Sequence, residues 1–176
     1  MHTATANELV ENYADAVYKF CRSLTYTKED AEDLFQDTFV QVFAQMAKLA
    51  TATNPQSFLF STALYQWKSR KRKYARRNSI APIAPLSNLD KSDYDLAGSI
   101  IAQEEIRLVR ELVADLPEKY KAPIALFYTV EMSVAEIAAV LKIPQGTVKS
   151  RLHKARILIE KGLKKHGYTA KVIEQF

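Results

Sequence analysis

The chain has 176 residues, of which 48% are hydrophobic and 26% charged, proportions that build a folded core and exclude a disordered or fibrous protein. The formal net charge of +5 is mild, and the single cysteine, Cys21, excludes an internal disulfide or a multi-cysteine zinc site and reads as a buried thiol. With only four glycines, six prolines and no sustained alternation of β-branched residues, a strand-rich sandwich or barrel is excluded, and the chain is expected to be all-α.

The charge is unevenly placed. Residues 66–78 carry seven Lys or Arg and no acid, residues 149–165 carry seven more against the single acid Glu160, and residues 28–37 hold five acids against one lysine. Two basic segments and one acidic helix fit a polyanion together with a basic protein partner, although solvated helix faces produce similar runs. The amino terminus MHTATANELVENY lacks the basic start and apolar core of an export signal, and no apolar run approaches the length of about eighteen residues needed to span a bilayer. The chain is therefore expected in the cytoplasm, with no membrane insertion.

In chain order, apolar periodicity predicts helices over about 7–25, 28–49 and 55–77. In the second, Ala31, Leu34, Phe35, Thr38, Val42, Met46 and Leu49 define the buried side, and Asp33, Gln36, Asp37 and Val40 project from the other. Acids around one apolar residue suit a basic, partly apolar partner helix, and they also suit the dipole of an ordinary helix start. In the third helix, Asn54 and Pro55 mark the start, and Leu59, Phe60, Ala63, Leu64, Trp67 and Tyr74 form the core side. Phe58, Ser61, Tyr65, Lys68, Ser69, Arg72 and Arg76 share the opposite face, where rings beside cations could stack unpaired bases, or where the rings could simply pack against neighbouring chain. Residues 79–99, with Pro82, Pro85 and Gly98 among Ser, Asn and Asp, read as a flexible linker.

Beyond the linker, helices are expected over about 100–115, 117–129, 133–141 and 145–165, with 167–176 as a tail. Pro117 opens the second of these, and Pro123, six residues later, should kink or restart it. Ser133 and Glu136 form a capping box before the stripe Val134, Ile137, Ala138 and Leu141. A brief turn through Ile143, Pro144 and Gly146 leads to a helix whose Val148, Leu152, Ala155 and Ile159 fall in one sector. The pattern is helix-turn-helix, with Lys149, Ser150, His153 and Lys154 on the face that would meet base edges and Arg151 and Arg156 placed for phosphates.

Residues 116–156, LPEKYKAPIALFYTVEMSVAEIAAVLKIPQGTVKSRLHKAR, resemble the region of bacterial extracytoplasmic-function (ECF) sigma factors, of the sigma-70 family, that binds the minus-35 promoter element. DAEDLFQDTFVQVF, residues 30–43, is similar to the segment with which those factors grip the coiled-coil clamp helices of the polymerase β′ subunit, and residues 57–77 resemble their melting and minus-10 region. The resemblance implies two small helical domains joined by the linker: 1–78 for core-polymerase docking and minus-10 recognition, and 100–166 for minus-35 recognition. It implies core RNA polymerase (β′ clamp helices and β flap), promoter DNA and an anti-sigma factor as partners. Asp33, Gln36, Asp37 and Val40 would take polymerase; Asn54, Phe58, Tyr65, Lys68, Arg72 and Arg76 would take minus-10 DNA; Thr147, Lys149, Ser150, Arg151, His153, Lys154 and Arg156 would take minus-35 DNA. Phe58 stands where the family often has tryptophan and Tyr65 where it often has asparagine, so the minus-10 contacts of this chain are its own.

Two other readings compete with this one. A one-component helix-turn-helix regulator with a ligand-sensing or dimerising amino-terminal domain would bind its site unaided. An enzyme would need a Ser/His/Asp or Cys/His grouping, a glycine-rich phosphate loop or metal-ligand spacing, and the sequence has none; no catalytic residue, cofactor or metal is expected.

Overall fold

The computed structural model describes residues 6–52, 54–80 and 100–168, which form helices and turns with no strand among them. The chain divides into two compact units, Met1–Leu89 and Asp90–Phe176. The expected linker lies outside the described residues except for Ser79 and Ile80, which are helical, and so do tail residues 169–176.

The first unit contains α1 (Ala6–Leu24), α2 (Lys28–Phe43), α3 (Met46–Ala50) and α4 (Pro55–Ile80). Thr27 opens α2 by accepting the Asp30 amide on its hydroxyl at 3.1 Å, with Glu29 and Asp30 complementing the positive end of the helix dipole. Asn54 opens α4 in the same way, its Oδ1 accepting the Ser57 amide at 3.1 Å. The core gathers Leu9, Val17, Phe20, Cys21 and Leu24 of α1 with Ala31, Leu34, Phe39 and Val42 of α2 and Leu59, Phe60, Ala63, Leu64 and Trp67 of α4. Phe20 and Phe60 meet edge to face at 5.3 Å, and each large apolar side chain removed from water here contributes about 1.5–3 kcal/mol. Burial pushes the Cys21 thiol up to about 12, with the Arg70 charge pulling weakly the other way, so at neutral pH it is a protonated packing group.

Three sequence expectations change here. The single helix over 28–49 is broken: Gln45 leaves helical geometry (φ −119°, ψ 25°), and its carbonyl restarts the chain as α3 by accepting the Lys48 and Leu49 amides. Neither glycine nor proline marks that break. Phe39, not assigned to the core, is buried, while Phe35 is half-buried between Tyr18 and Phe39. Tyr74 is 39% exposed, because α4 with its 26 residues is about 39 Å long and outruns the 16-residue α2.

The second unit contains α5 (Ile100–Ala114), α6 (Glu118–Ile124), a π-helical turn (Ala125–Thr129), α7 (Val134–Leu141) and α8 (Gln145–Lys165). Pro123 cannot donate an amide, and directly after it the helix widens, with Val130 donating to Ala125 and Met132 closing onto Leu126. Lys121 is buried, and its ammonium donates to the Ala114 carbonyl, one of the groups left over at the end of α5. The capping box of α7 is formed: Ser133 Oγ accepts the Glu136 amide at 3.3 Å, and the Glu136 carboxylate accepts the Ser133 amide at 2.8 Å and hydroxyl at 2.7 Å. Val148, Leu152, Ala155, Ile159 and Leu163 form the buried stripe of α8. The residue that turns the chain between α7 and α8 is Lys142, in the left-handed region at φ 54°, ψ 48°, whereas Gly146 lies inside α8 with open space where a Cβ would be.

Candidate nucleic-acid and protein interfaces

Asp33, Gln36, Asp37 and Val40 are all exposed on one side of α2, as the i, i+3, i+4, i+7 spacing requires, and Val40 keeps 68% of its surface in water. Phe43, one turn further, extends the apolar end of this face. The carboxylates have a partner from α4. Arg70 Nε and Nη2 both donate to Asp37 Oδ2, at 3.0 and 2.5 Å, and Nη1 lies 3.8 Å from Asp33 Oδ2. Sequence reasoning placed Arg70 only within the basic run. Its spacing of three residues from buried Trp67 was the available sign that it borders the core side of α4 and can reach α2.

On α4, Phe58 is half-buried, Tyr65 is 63% exposed, and Lys68, Arg72 and Arg76 are exposed. At about 100° per residue the other four each lie within about 60° of Tyr65 around the helix axis, so one ring stands clear among three cations. Asn54 sits at the head of this helix with its Oδ1 committed to capping. Lys71, off that face, places its ammonium 5.1 Å from the Trp67 ring centre.

On α8, Lys149, Ser150, His153 and Lys154 are exposed and Thr147 and Arg151 half-buried. Ser150 Oγ donates to the Thr147 carbonyl at 3.0 Å, a local bond that leaves the hydroxyl lone pairs outward. Arg156 is half-buried and braced by its own unit through one edge: Nε donates to the Tyr128 hydroxyl at 2.8 Å, and the guanidinium carbon lies 5.6 Å from the Phe127 ring and 5.7 Å from the Tyr128 ring. Among the described residues no cluster of His, Cys, Asp or Glu could hold a metal ion, and no helix is long and apolar enough to cross a membrane.

These faces fall inside two family matches. Residues 9–77 match the family described as Sigma-70 region 2, and residues 106–159 match Sigma-70, region 4. The chain belongs to the sigma-70 family. This sigma factor is 26% identical over 164 residues to the ECF RNA polymerase sigma factor SigW of Bacillus subtilis, covering 89% of this chain and 88% of SigW. It is 30% identical over 166 residues to the ECF RNA polymerase sigma factor SigE of Mycolicibacterium smegmatis, covering 92% of this chain and 62% of that one. Its fold is that of the sigma factor RpoE of Bartonella quintana, solved in complex with the anti-sigma factor NepR, with a TM-score of 0.72, 22% identity and coverage of 90% and 96%. CnrH, solved with the cytosolic domain of CnrY, is similar at a TM-score of 0.64, 22% identity and coverage of 91% and 88%. The protein is thus an ECF sigma factor, a non-enzymatic subunit that directs transcription initiation at promoters. The region 2 match over the first unit disfavours the reading of that unit as a ligand sensor or dimerisation domain.

Proposed function

We propose that the sigma factor divides promoter opening among three faces. The α2 strip of Asp33, Gln36, Asp37 and Val40 docks on the β′ clamp helices of core RNA polymerase, with charge steering the approach and Val40 losing water on contact. The α4 face takes melted minus-10 DNA, Tyr65 and Phe58 stacking bases while Lys68, Arg72 and Arg76 neutralise the backbone and Asn54 lies at the head of the helix. The α8 face enters the minus-35 major groove with Lys149, Ser150, His153 and Lys154, and Thr147, Arg151 and Arg156 contact phosphates. Residues 1–78 and 100–166 are the two working domains, the second also resting on the β flap, and the linker of 79–99 lets one engaged domain raise the effective concentration of the other.

The observation that carries this reading is the exposed acidic and apolar strip on α2 within a region 2 match, on the same unit as an aromatic and cationic helix face. An anti-sigma factor that covers these faces is expected, as NepR accompanies RpoE of Bartonella quintana, and the place of action is the cytoplasm. Pull-down of core polymerase should be lost with Asp33→Arg or Asp37→Arg in a chain that keeps its helical circular dichroism. Retention of polymerase by both variants would contradict the docking assignment.

A further inference from the structure

The docking strip is built from two helices. Asp33 and Asp37 stand one turn apart on α2, and Arg70 of α4 lies between them, giving two donors to one oxygen of Asp37 and leaving Nη1 toward Asp33. The remaining Asp37 oxygen, Oδ1, accepts no hydrogen bond among the described residues and belongs to a carboxylate that is half exposed. Arg70 itself is the more sheltered partner, with 34% of its side chain in solvent against 67% and 51% for Asp33 and Asp37. Its position is set by buried Trp67 one turn before it.

A free aspartate on a helix surface samples several rotamers, and two of them at i and i+4 repel each other. A planar guanidinium fixed from a neighbouring helix removes both costs before any partner arrives. We infer that Arg70 is a positioning residue for polymerase docking: it presents Asp37 with one oxygen already aimed outward and neutralises the repulsion from Asp33. This rests on the docking reading of the α2 strip. It opposes what net charge alone demands, since a cation beside an acidic strip should weaken attraction to a basic partner.

The test measures affinity of the full chain for purified core polymerase with Arg70→Ala, Asp37→Asn and the double variant, at fixed ionic strength. Arg70→Ala should weaken binding about three- to tenfold, the cost of ordering a side chain at the moment of association. In the Asp37→Asn background the same substitution should change nothing further. Arg70→Lys, which keeps the charge without the two-pronged geometry, should fall between wild type and alanine. Unchanged or tighter binding by Arg70→Ala overturns the inference in favour of simple electrostatics. An equal loss in the Asp37→Asn background also overturns it, because Arg70 would then act only by holding α4 against α2. If Arg70→Ala fails to fold, the Arg70→Lys and Asp37→Asn cycle carries the same comparison. Normal binding by Asp37→Asn alone would overturn the docking reading itself, and the inference with it.

Discussion

Arg156 of α8, the helix proposed to enter the major groove, donates to the hydroxyl of Tyr128 on the π-helical turn, 28 residues earlier in the chain. That bond and the two flanking rings tie the middle of α8 to the segment that follows Pro123. Tyr128→Phe keeps the ring and deletes the acceptor, and it should cost about 0.5–1.5 kcal/mol in urea unfolding of the carboxyl-terminal unit. Arg156→Lys should cost at least as much, since the ammonium replaces a planar group stacked near both rings. Wild-type stability in both variants would show that the contact contributes nothing.

Lys142 holds the left-handed conformation at the end of α7, a region in which a side chain costs about 1–2 kcal/mol and glycine costs none. Part of that gain is lost to the greater freedom of glycine in the unfolded chain. Lys142→Gly should therefore stabilise the unit by about 0.5–1 kcal/mol. Thermal melting checks it, and a lowered midpoint would mean that the lysine side chain contributes packing of its own.

Ser133 and Glu136 make a cap that depends on pH. Hydrogen bonds from the Ser133 hydroxyl and amide hold the Glu136 carboxyl below its ordinary value of 4.5. A carboxyl lowered by folding adds stability above its unfolded pKa and loses that contribution as pH falls through the folded one. Ser133→Ala should cost about 1 kcal/mol at pH 7. The gap to wild type should narrow in acid once Glu136 is protonated, with the N-cap bond that the Ser133 hydroxyl accepts from the Glu136 amide accounting for what remains. Denaturant titrations of both proteins across the acid range test this, and a gap independent of pH would contradict it.

Tyr65 stands exposed among Lys68, Arg72 and Arg76, and the proposed function gives it the role of stacking a base that has left the duplex. Tyr65→Ala should reduce open-complex formation by the equivalent of about 1–3 kcal/mol while duplex promoter binding changes little. Permanganate footprinting of the melted region, set beside filter binding of duplex DNA, separates the two. Equal losses in both would reduce Tyr65 to a general contact.

Helix starts were readable because their chemistry is local. Asn54 before Pro55, Pro117 after Leu116, and Ser133 with Glu136 each act within three residues, and each opens a helix where expected. The apolar stripe of α8 was equally plain, since Val148, Leu152, Ala155 and Ile159 repeat at helical spacing, and Leu163 continues it one turn further. What was hidden depends on distance. Tyr74 carries the same periodicity as Trp67, yet periodicity cannot say where the neighbouring helices end. The Asp37–Arg70 pair joins positions 33 residues apart, and nothing within either helix distinguishes Arg70 from its basic neighbours except its spacing from Trp67. Gly146 drew attention as the turning residue, while the unfavourable conformation is carried by Lys142, whose side chain gives no local sign of it.

Promoter-specific initiation is the property on which the account stands. Transcription reconstituted from purified full-length chain, purified core RNA polymerase and a library of promoter fragments, read by sequencing of 5′ ends, measures it directly. The account predicts starts at a defined subset sharing minus-35 and minus-10 elements, absent when the chain is omitted and lost with Asp37→Arg. Starts that are unchanged by adding the chain would contradict it.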